Sequence, residues 1–349
     1  MTFELGVYSF GNTPRQADGS RGPTAQAIRD VLEAIKLADE VGLDYFGVGE
    51  HHMRTMPLSS PTSLINAAAA ATSRIKLSTA VTVLPTDDPI RVFQQLATAA
   101  ALAPGRIELV AGRGSSTITF PLFDHDENDY DMLFASKLEL LMAVNASENV
   151  TWHGPHRTRP LQNATIFPRP EQPLKIWLGT GGSPGSVYRA VELGLPMFLG
   201  ILGGTPEHWA QYGHAYRKAW TQAGHPAEQA DIAVAVHGFV ADTGAQARST
   251  YLEYEHRMMA DGMAELGRPA PRRADRSAAL GPGGMVFAGG PDEIADRILH
   301  LHGLLSHTRQ ILQMDVGGMP QRDVLRGIEL LGTKVLPQIR AELARPRTA

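Results

Sequence analysis

The chain has 349 residues, a formal charge of −4 and no cysteine. That composition excludes disulfides, thiolate metal sites, iron–sulfur clusters and cysteine nucleophiles. Its scattered lysines and arginines give no broad basic footprint for nucleic acid, and its apolar runs fall far short of the roughly 20 residues that span a bilayer. The start, Met1-Thr2-Phe3-Glu4, lacks the charged-then-apolar layout of a signal peptide, so the expected location is cytoplasmic. An ordinary apolar content and this length suit one large domain over residues 1–349.

In chain order, a first strand is expected near Phe3–Ser9. A helix follows, with Thr24 as its N-cap and Ile28, Val31, Leu32, Ile35 and Ala38 recurring on one face. Gly42 is its stop. The next strand, near Asp44–Val48, runs into Gly49-Glu50-His51-His52. Alanine-rich stretches at 67–71 and 97–103 suit helices and would let a neighbouring helix or a second subunit approach closely, so a homodimer or higher homo-oligomer is expected. Further strands are expected near Ile75–Val83, Arg106–Ala111, Lys175–Leu178, Pro196–Gly200, Ile232–Val240 and Arg309–Met314, with helices between. Eight strands separated by helices imply βαβ units in a parallel sheet, and eight is the number that closes a (β/α)₈ TIM barrel. A doubly wound open sheet has the same local signature.

Two regions interrupt the alternation. Residues 145–172, with Trp152, His153, Gly154 and several prolines, read as an excursion before the fifth strand. Residues 243–290 contain a helix and then a Gly/Pro/Arg-rich loop, 267–285, which would serve as a lid over a barrel mouth or form a surface insertion.

Several motifs could carry chemistry. Glu50-His51-His52 falls at the C-terminal end of the second strand, where α/β barrels build their sites. Two histidines in a row make a poor metal pair on a strand, because adjacent side chains point to opposite faces. One histidine suits proton transfer near neutral pH; a backbone-bonded loop histidine is the plainer alternative. Gly179-Thr180-Gly181-Gly182-Ser183 follows the fifth strand and opens a helix, a layout that admits a phosphate to backbone N–H groups. The dinucleotide fingerprint fails there at Pro184, and Walker A fails for want of Gly-Lys-Ser/Thr. Gly181-Gly182-Ser183-Pro184-Gly185 matches G-x-S-x-G, but Pro184 has no N–H to give an oxyanion. Arg113, between Gly112 and Gly114, could fork onto a phosphate. Asp124-His125-Asp126-Glu127-Asn128 begins like a calcium loop but lacks the later glycine and glutamate, which leaves a solvated loop capping the next helix.

Taken together, these pieces resemble the bacterial luciferase-like family. The resemblance rests on Gly42-Leu43-Asp44 leading to Gly49-Glu50-His51-His52, on Thr79-Ala80-Val81-Thr82-Val83-Leu84-Pro85, and on Asp88-Pro89-Ile90-Arg91. Gly105-Arg106 with Ala111-Gly112-Arg113-Gly114, and Gly194-Leu195-Pro196, complete it. It implies a (β/α)₈ barrel with FMN at the C-terminal mouth. It places the active-site histidine, which in luciferase serves to form or protect the oxygenated flavin, at His51, with His52 supporting. A non-proline cis peptide beside the flavin ring would fall at Ala80-Val81. The phosphate would lie near Arg113, Thr180, Gly181, Gly182, Ser183 and Ser186. Where luciferase has a glutamate just before the serine, this chain has Gly182. Tyr8, Phe10 and Met53 are candidates for apolar walls of a substrate pocket.

The function so implied is a flavin-dependent monooxygenase that uses O₂ and reduced FMN from a separate flavin reductase on a small organic substrate. Three other readings compete: a deazaflavin-dependent hydride-transfer enzyme, a flavin-binding protein without turnover, and a metal-dependent barrel hydrolase. The fold alone does not choose among them.

Overall fold

A computed structural model describes residues 3–16, 18–114, 119–265, 269–270, 272–273, 277 and 279–345. Eight parallel strands form its centre: β1 Glu4–Ser9, β2 Tyr45–Val48, β3 Lys76–Thr79, β4 Ile107–Gly112, β5 Lys175–Thr180, β6 Met197–Ile201, β7 Ile232–Val240 and β8 Arg309–Gln313. They neighbour one another in chain order, β8 pairs with β1, and β6 pairs with β7, so the sheet closes on itself. The open-sheet alternative is thereby excluded.

The helices α1 Thr24–Glu40, α2 Pro61–Ala71, α3 Pro89–Leu102, α4 Tyr130–Ala146, α5 Pro184–Glu192, α6 Pro206–Gln222, α7 Gly244–Glu265, α8 Pro291–Leu305 and α9 Gln321–Leu330 accompany the strands. Proline at the first position starts α2, α3, α5, α6 and α8; it lacks only an N–H that has no helical partner there. Asp88 caps α3 by accepting from the backbone N–H groups of Ile90 and Arg91. Thr24 is not the cap of α1. Pro23 holds that position at φ −68° and ψ 134°, and Thr24 is already helical, because the proline ring fixes the extended entry that a cap needs. Gly42, at φ +91°, turns the chain out of α1.

Strand alternation sorts the core into two parts. Outward residues such as Leu5, Val7, Phe46 and Leu77 pack under the helices. Inward residues such as Tyr45, Val110, Trp177, Phe198 and Ile311 fill the barrel. The expected strand Ile75–Val83 is interrupted: after Thr79 the Ala80–Val81 peptide is cis, and Thr82–Val83 resumes pairing, now with β4. The alanines of α2 and α3 serve mainly as close packing. Ala68, Ala69, Ala97, Ala99, Ala100 and Ala103 are buried, while Ala67, Ala70, Ala71 and Ala101 stay exposed.

The excursion 145–172 holds a two-stranded antiparallel hairpin, Asn149–Trp152 with Leu161–Thr165. In the stretch 267–285 proposed as a lid, residues 267, 268, 271, 274–276 and 278 lie outside the described residues. Leu280 and Met285 at its far end are buried. The acidic run at 124–131 forms a turn, Glu127–Asp129, in which the Asp126 carboxylate accepts from the Asn128 N–H before α4 begins. No helix among the described residues is long and apolar enough to cross a membrane.

The N-terminal end of the barrel is plugged by charge. Arg309 donates to both oxygens of Glu108 (2.6 and 3.0 Å) and to Glu4 (2.6 Å), and its guanidinium lies 4.3 Å from the Tyr45 ring centre. The opposite, C-terminal end is therefore the end at which the barrel can receive a ligand.

Candidate functional site at the C-terminal mouth

The inward positions nearest the C-terminal ends of β2 to β6 carry almost no side chain. They are Gly47, Ala80 (just past β3), Gly112, Gly179 and Gly200. The Val81 side chain lies over Gly112 and Gly179, and the space inside Gly200 is open, with Thr180 O at 3.8 Å its nearest neighbour. The next three strands around the barrel differ. His237 on β7, Gln313 on β8 and Tyr8 on β1 are register neighbours and face inward by alternation with Ala235, Ile311 and the rest of the inner cluster. They are 7%, 2% and 7% exposed. The mouth thus has a low side on five strands and a polar wall on three.

The β2 end supplies the histidines. The His51 backbone N–H donates to Leu58 O at 2.9 Å, and its ring packs edge-on to Phe10, 4.5 Å between centroids. Phe10 in turn meets Tyr8 edge-on at 5.7 Å. Burial, reinforced by neighbouring His52, pushes the His51 pKa down to about 4. At neutral pH its imidazole therefore carries one N–H and one free lone pair. His52 points elsewhere, with Nε2 3.1 Å from Glu50 Oε1 and its ring against Phe123. Only one of the two histidines faces the Phe10–Tyr8 wall. Glu50 had no assigned role in the sequence reading. It is buried, and its other oxygen accepts from the Val83 N–H at 2.8 Å, so one carboxylate fixes His52 and the segment after Ala80–Val81 together. Lys137 of α4 secures the same segment by donating to Pro85 O at 2.5 Å. Burial lowers the Lys137 pKa to about 8.

The β5 end supplies the glycine turn. Thr180 is 5% exposed, and its hydroxyl has no hydrogen-bond partner. Gly181 has open space around it, and Gly182 takes φ +82°. Ser183 caps α5 by accepting from the Ser186 N–H, and the two hydroxyls lie 2.7 Å apart. An orphaned buried hydroxyl beside a helix N-terminus suits an anion with acceptor oxygens. Arg113, one strand away, bonds the exposed Asp131 at 2.9 Å and lies over the Tyr130 ring. A surface ion pair of this kind is weak, so Arg113 is able to exchange partners. Met53 is partly buried in the turn after His52.

A separate cavity, about 460 Å³ of empty space with its open mouth included, lies outside the barrel wall between α1, α9 and the ends of β1 and β8. Asp315 lines it and accepts from the Ser9 hydroxyl, and Asn12 donates to its backbone carbonyl. Burial pushes the Asp315 pKa up to about 7 against those bonds.

A family profile described as luciferase-like monooxygenase matches residues 7–308. A 4-hydroxyprotoasukamycin monooxygenase of Streptomyces nodosus subsp. asukaensis is 29% identical over 249 residues, 68% of this chain and 66% of that protein. An F420-dependent glucose-6-phosphate dehydrogenase of Beutenbergia cavernae is 34% identical over 176 residues, 48% of this chain and about half (51%) of its own length. Among solved structures, a monooxygenase of Streptomyces bottropensis superposes with a TM-score of 0.80 at 24% identity, covering 96% of this chain and 99% of that one. The oxygenating constituent of 3,6-diketocamphane monooxygenase of Pseudomonas putida, in complex with FMN, gives 0.75 at 18%, covering 97% and 99%. An F420-dependent secondary alcohol dehydrogenase gives 0.76 at 17%, with the same coverage.

Proposed function

The chain belongs to the luciferase-like monooxygenase family, and from that premise we propose that it is an FMN-dependent monooxygenase that takes reduced FMN from a separate reductase and oxygenates a small organic substrate. The observation that carries this reading is the pairing of an anion cradle with a low mouth floor. The Thr180 hydroxyl, buried without a partner, and the start of α5 would hold the phosphate. The five side-chain-poor strand ends beside them leave the mouth low enough to take a flat ring. Arg113 would add charge to the phosphate side.

When bound, FMN would supply the electrons that reduce dioxygen, one oxygen atom going to the substrate and the other to water. The protein's part is shielding, positioning and proton handling. The Phe10 and Tyr8 rings, packed edge-on to each other and to His51, would shield the His51 side of the mouth from water once a ligand fills it. Neutral His51 can donate a proton from one ring nitrogen or hold one at the other. Glu50 and Lys137 hold the Val81–Pro85 segment in place around it.

The deazaflavin reading keeps one specific support, the F420-dependent relative at 34% identity. Anaerobic titration of the purified protein with reduced FMN, and separately with reduced F420, decides between them. Preferential binding of FMN, weakened about 10- to 100-fold in Thr180→Val (the worth of a hydrogen bond to a charged group) and kept in Thr180→Ser, is the expected outcome. Preferential binding of F420 refutes the proposal. Steady NADH oxidation by the pure protein with FMN alone would refute the separate reductase.

A further inference from the structure

The polar wall of the mouth carries more information than the cofactor reading uses. Gln313 is almost fully buried, and Tyr8 nearly so. Among the described residues, no hydrogen bond involves the Gln313 amide or the Tyr8 hydroxyl, and neither group is sealed from the mouth as the Thr180 hydroxyl is sealed in its turn. Polar atoms that reach a pocket without a protein partner are met there by water or by a ligand that replaces it. The two residues are register neighbours on β1 and β8, and both face into the barrel beside the inner cluster. Their natural partner therefore comes from outside the chain and enters the mouth.

We infer that Gln313 and Tyr8 form the substrate's polar anchor, and that the substrate is an uncharged molecule bearing a carbonyl or hydroxyl oxygen on an apolar body. A single such oxygen accepts from the Tyr8 O–H and from the Gln313 NH₂ together, and a hydroxyl also donates to the Gln313 carbonyl. An ionised group suits this wall poorly. The Gln313 amide bears no charge, and burial pushes the Tyr8 pKa up, so it stays a neutral phenol. A charge brought here without a counter-ion loses its hydration uncompensated. The apolar body would rest against Phe10, whose ring meets Tyr8 edge-on at 5.7 Å. This inference rests on the C-terminal mouth being the reaction site, but not on which flavin occupies it.

The test is ligand-observed NMR with four probes of one ring size: cyclohexanone, cyclohexanol, cyclohexanecarboxylate and cyclohexylammonium. Affinities are measured on the cofactor-free protein and again with reduced FMN under anaerobic conditions. The expected result is that the ketone and the alcohol bind at least about tenfold more tightly than either charged probe. Gln313→Met and Tyr8→Phe should each weaken ketone binding by about 3- to 10-fold, the worth of one neutral hydrogen bond. A thermal melt of each variant controls for folding, and a crystal of the wild-type protein soaked in cyclohexanone reads the same anchor without any substitution. Equal or tighter binding of a charged probe, ketone affinity unchanged in both variants, a ketone oxygen placed away from Gln313, or no binding of any probe overturns the inference. If the ketone behaves as expected while reduced FMN does not bind, the anchor stands and the FMN reading alone fails. If FMN binds and the ketone pattern is absent, only the anchor fails.

Discussion

Arg309→Met should destabilise the protein more than any surface substitution, and for a calculable reason. The Arg309 side chain is 2% exposed and stands between Glu108, Glu4 and the faces of Tyr45 and Trp177. Methionine fills part of the volume but leaves Glu108, itself 4% exposed, without its main counter-charge. Removing one member of a buried ion pair costs about 3–5 kcal/mol. The pH dependence gives a second reading. Burial raises the Glu108 pKa, but Arg309 prevails and holds it at about 2, below the ordinary 4.5. In the wild type this contributes stability that is present above pH 4.5 and lost as pH falls toward 2. In the variant, burial would be opposed only by Lys76, Lys175 and the Trp177 N–H and would lift the Glu108 pKa, so the loss should shrink as the medium is acidified. Adding Glu108→Gln to Arg309→Met removes the stranded charge and should restore part of the loss. Urea unfolding followed by circular dichroism, at neutral and mildly acid pH, measures all three proteins. A loss under about 1 kcal/mol, or one that does not change with pH, would refute the reasoning.

Glycine positions in the mouth should separate stability from ligand binding. A Cβ at Gly112 would lie 2.3 Å from Val81 Cγ2, whereas one at Gly200 meets nothing nearer than 3.8 Å; hence Gly112→Ala should lower the free energy of unfolding by about 1–3 kcal/mol, while Gly200→Val should fold normally and lose reduced-FMN binding in the same titration. His307 is fully buried, and burial drives its pKa from 6.5 to about 3. The unfolded chain takes up a proton below pH 6.5 that the folded chain refuses, so stability falls with pH by up to about 1.4 kcal/mol per unit across that window, and His307→Leu should flatten the slope seen in urea melts. We also propose that copies pair through the exposed faces of α2 and α3, where Leu102 is 55% exposed beside Ala101; sedimentation should show a smaller species for Leu102→Asp, and an unchanged mass would dismiss that face.

The barrel was legible in the sequence because each strand repeats one local pattern, and local patterns survive reading without coordinates. Ile232–Val240 matches the observed strand end for end, six others differ by one or two residues at their ends, and Ile75–Val83 is broken after Thr79 by the cis peptide. Thr24 misled because cap preference favours threonine, whereas the fixed φ of Pro23 decided the entry. Thr180, Gly182 and Ser183 were visible as a site because they are contiguous. Gln313 and His237 were not, because a polar residue on a strand carries no local sign of a site until closure brings Gln313 beside Tyr8, some 300 positions away in sequence, and His237 beside Gln313. The clue available was parity: Gln313 shares the face of Ile311, and His237 that of Ala235. Glu50 was seen only as a neighbour of the histidines, since its bond to the Val83 N–H spans two strands.

The central claim is that this mouth binds reduced FMN and governs its reaction with oxygen through His51. Stopped-flow mixing of the anaerobic protein–FMN complex with oxygenated buffer, with flavin reoxidation and hydrogen peroxide measured together, tests it most directly. The account predicts that bound reduced FMN reoxidises more slowly than free reduced FMN, and that His51→Ala speeds reoxidation and raises peroxide release while FMN affinity stays nearly unchanged. Reoxidation at the free rate with full peroxide release in both proteins would contradict it.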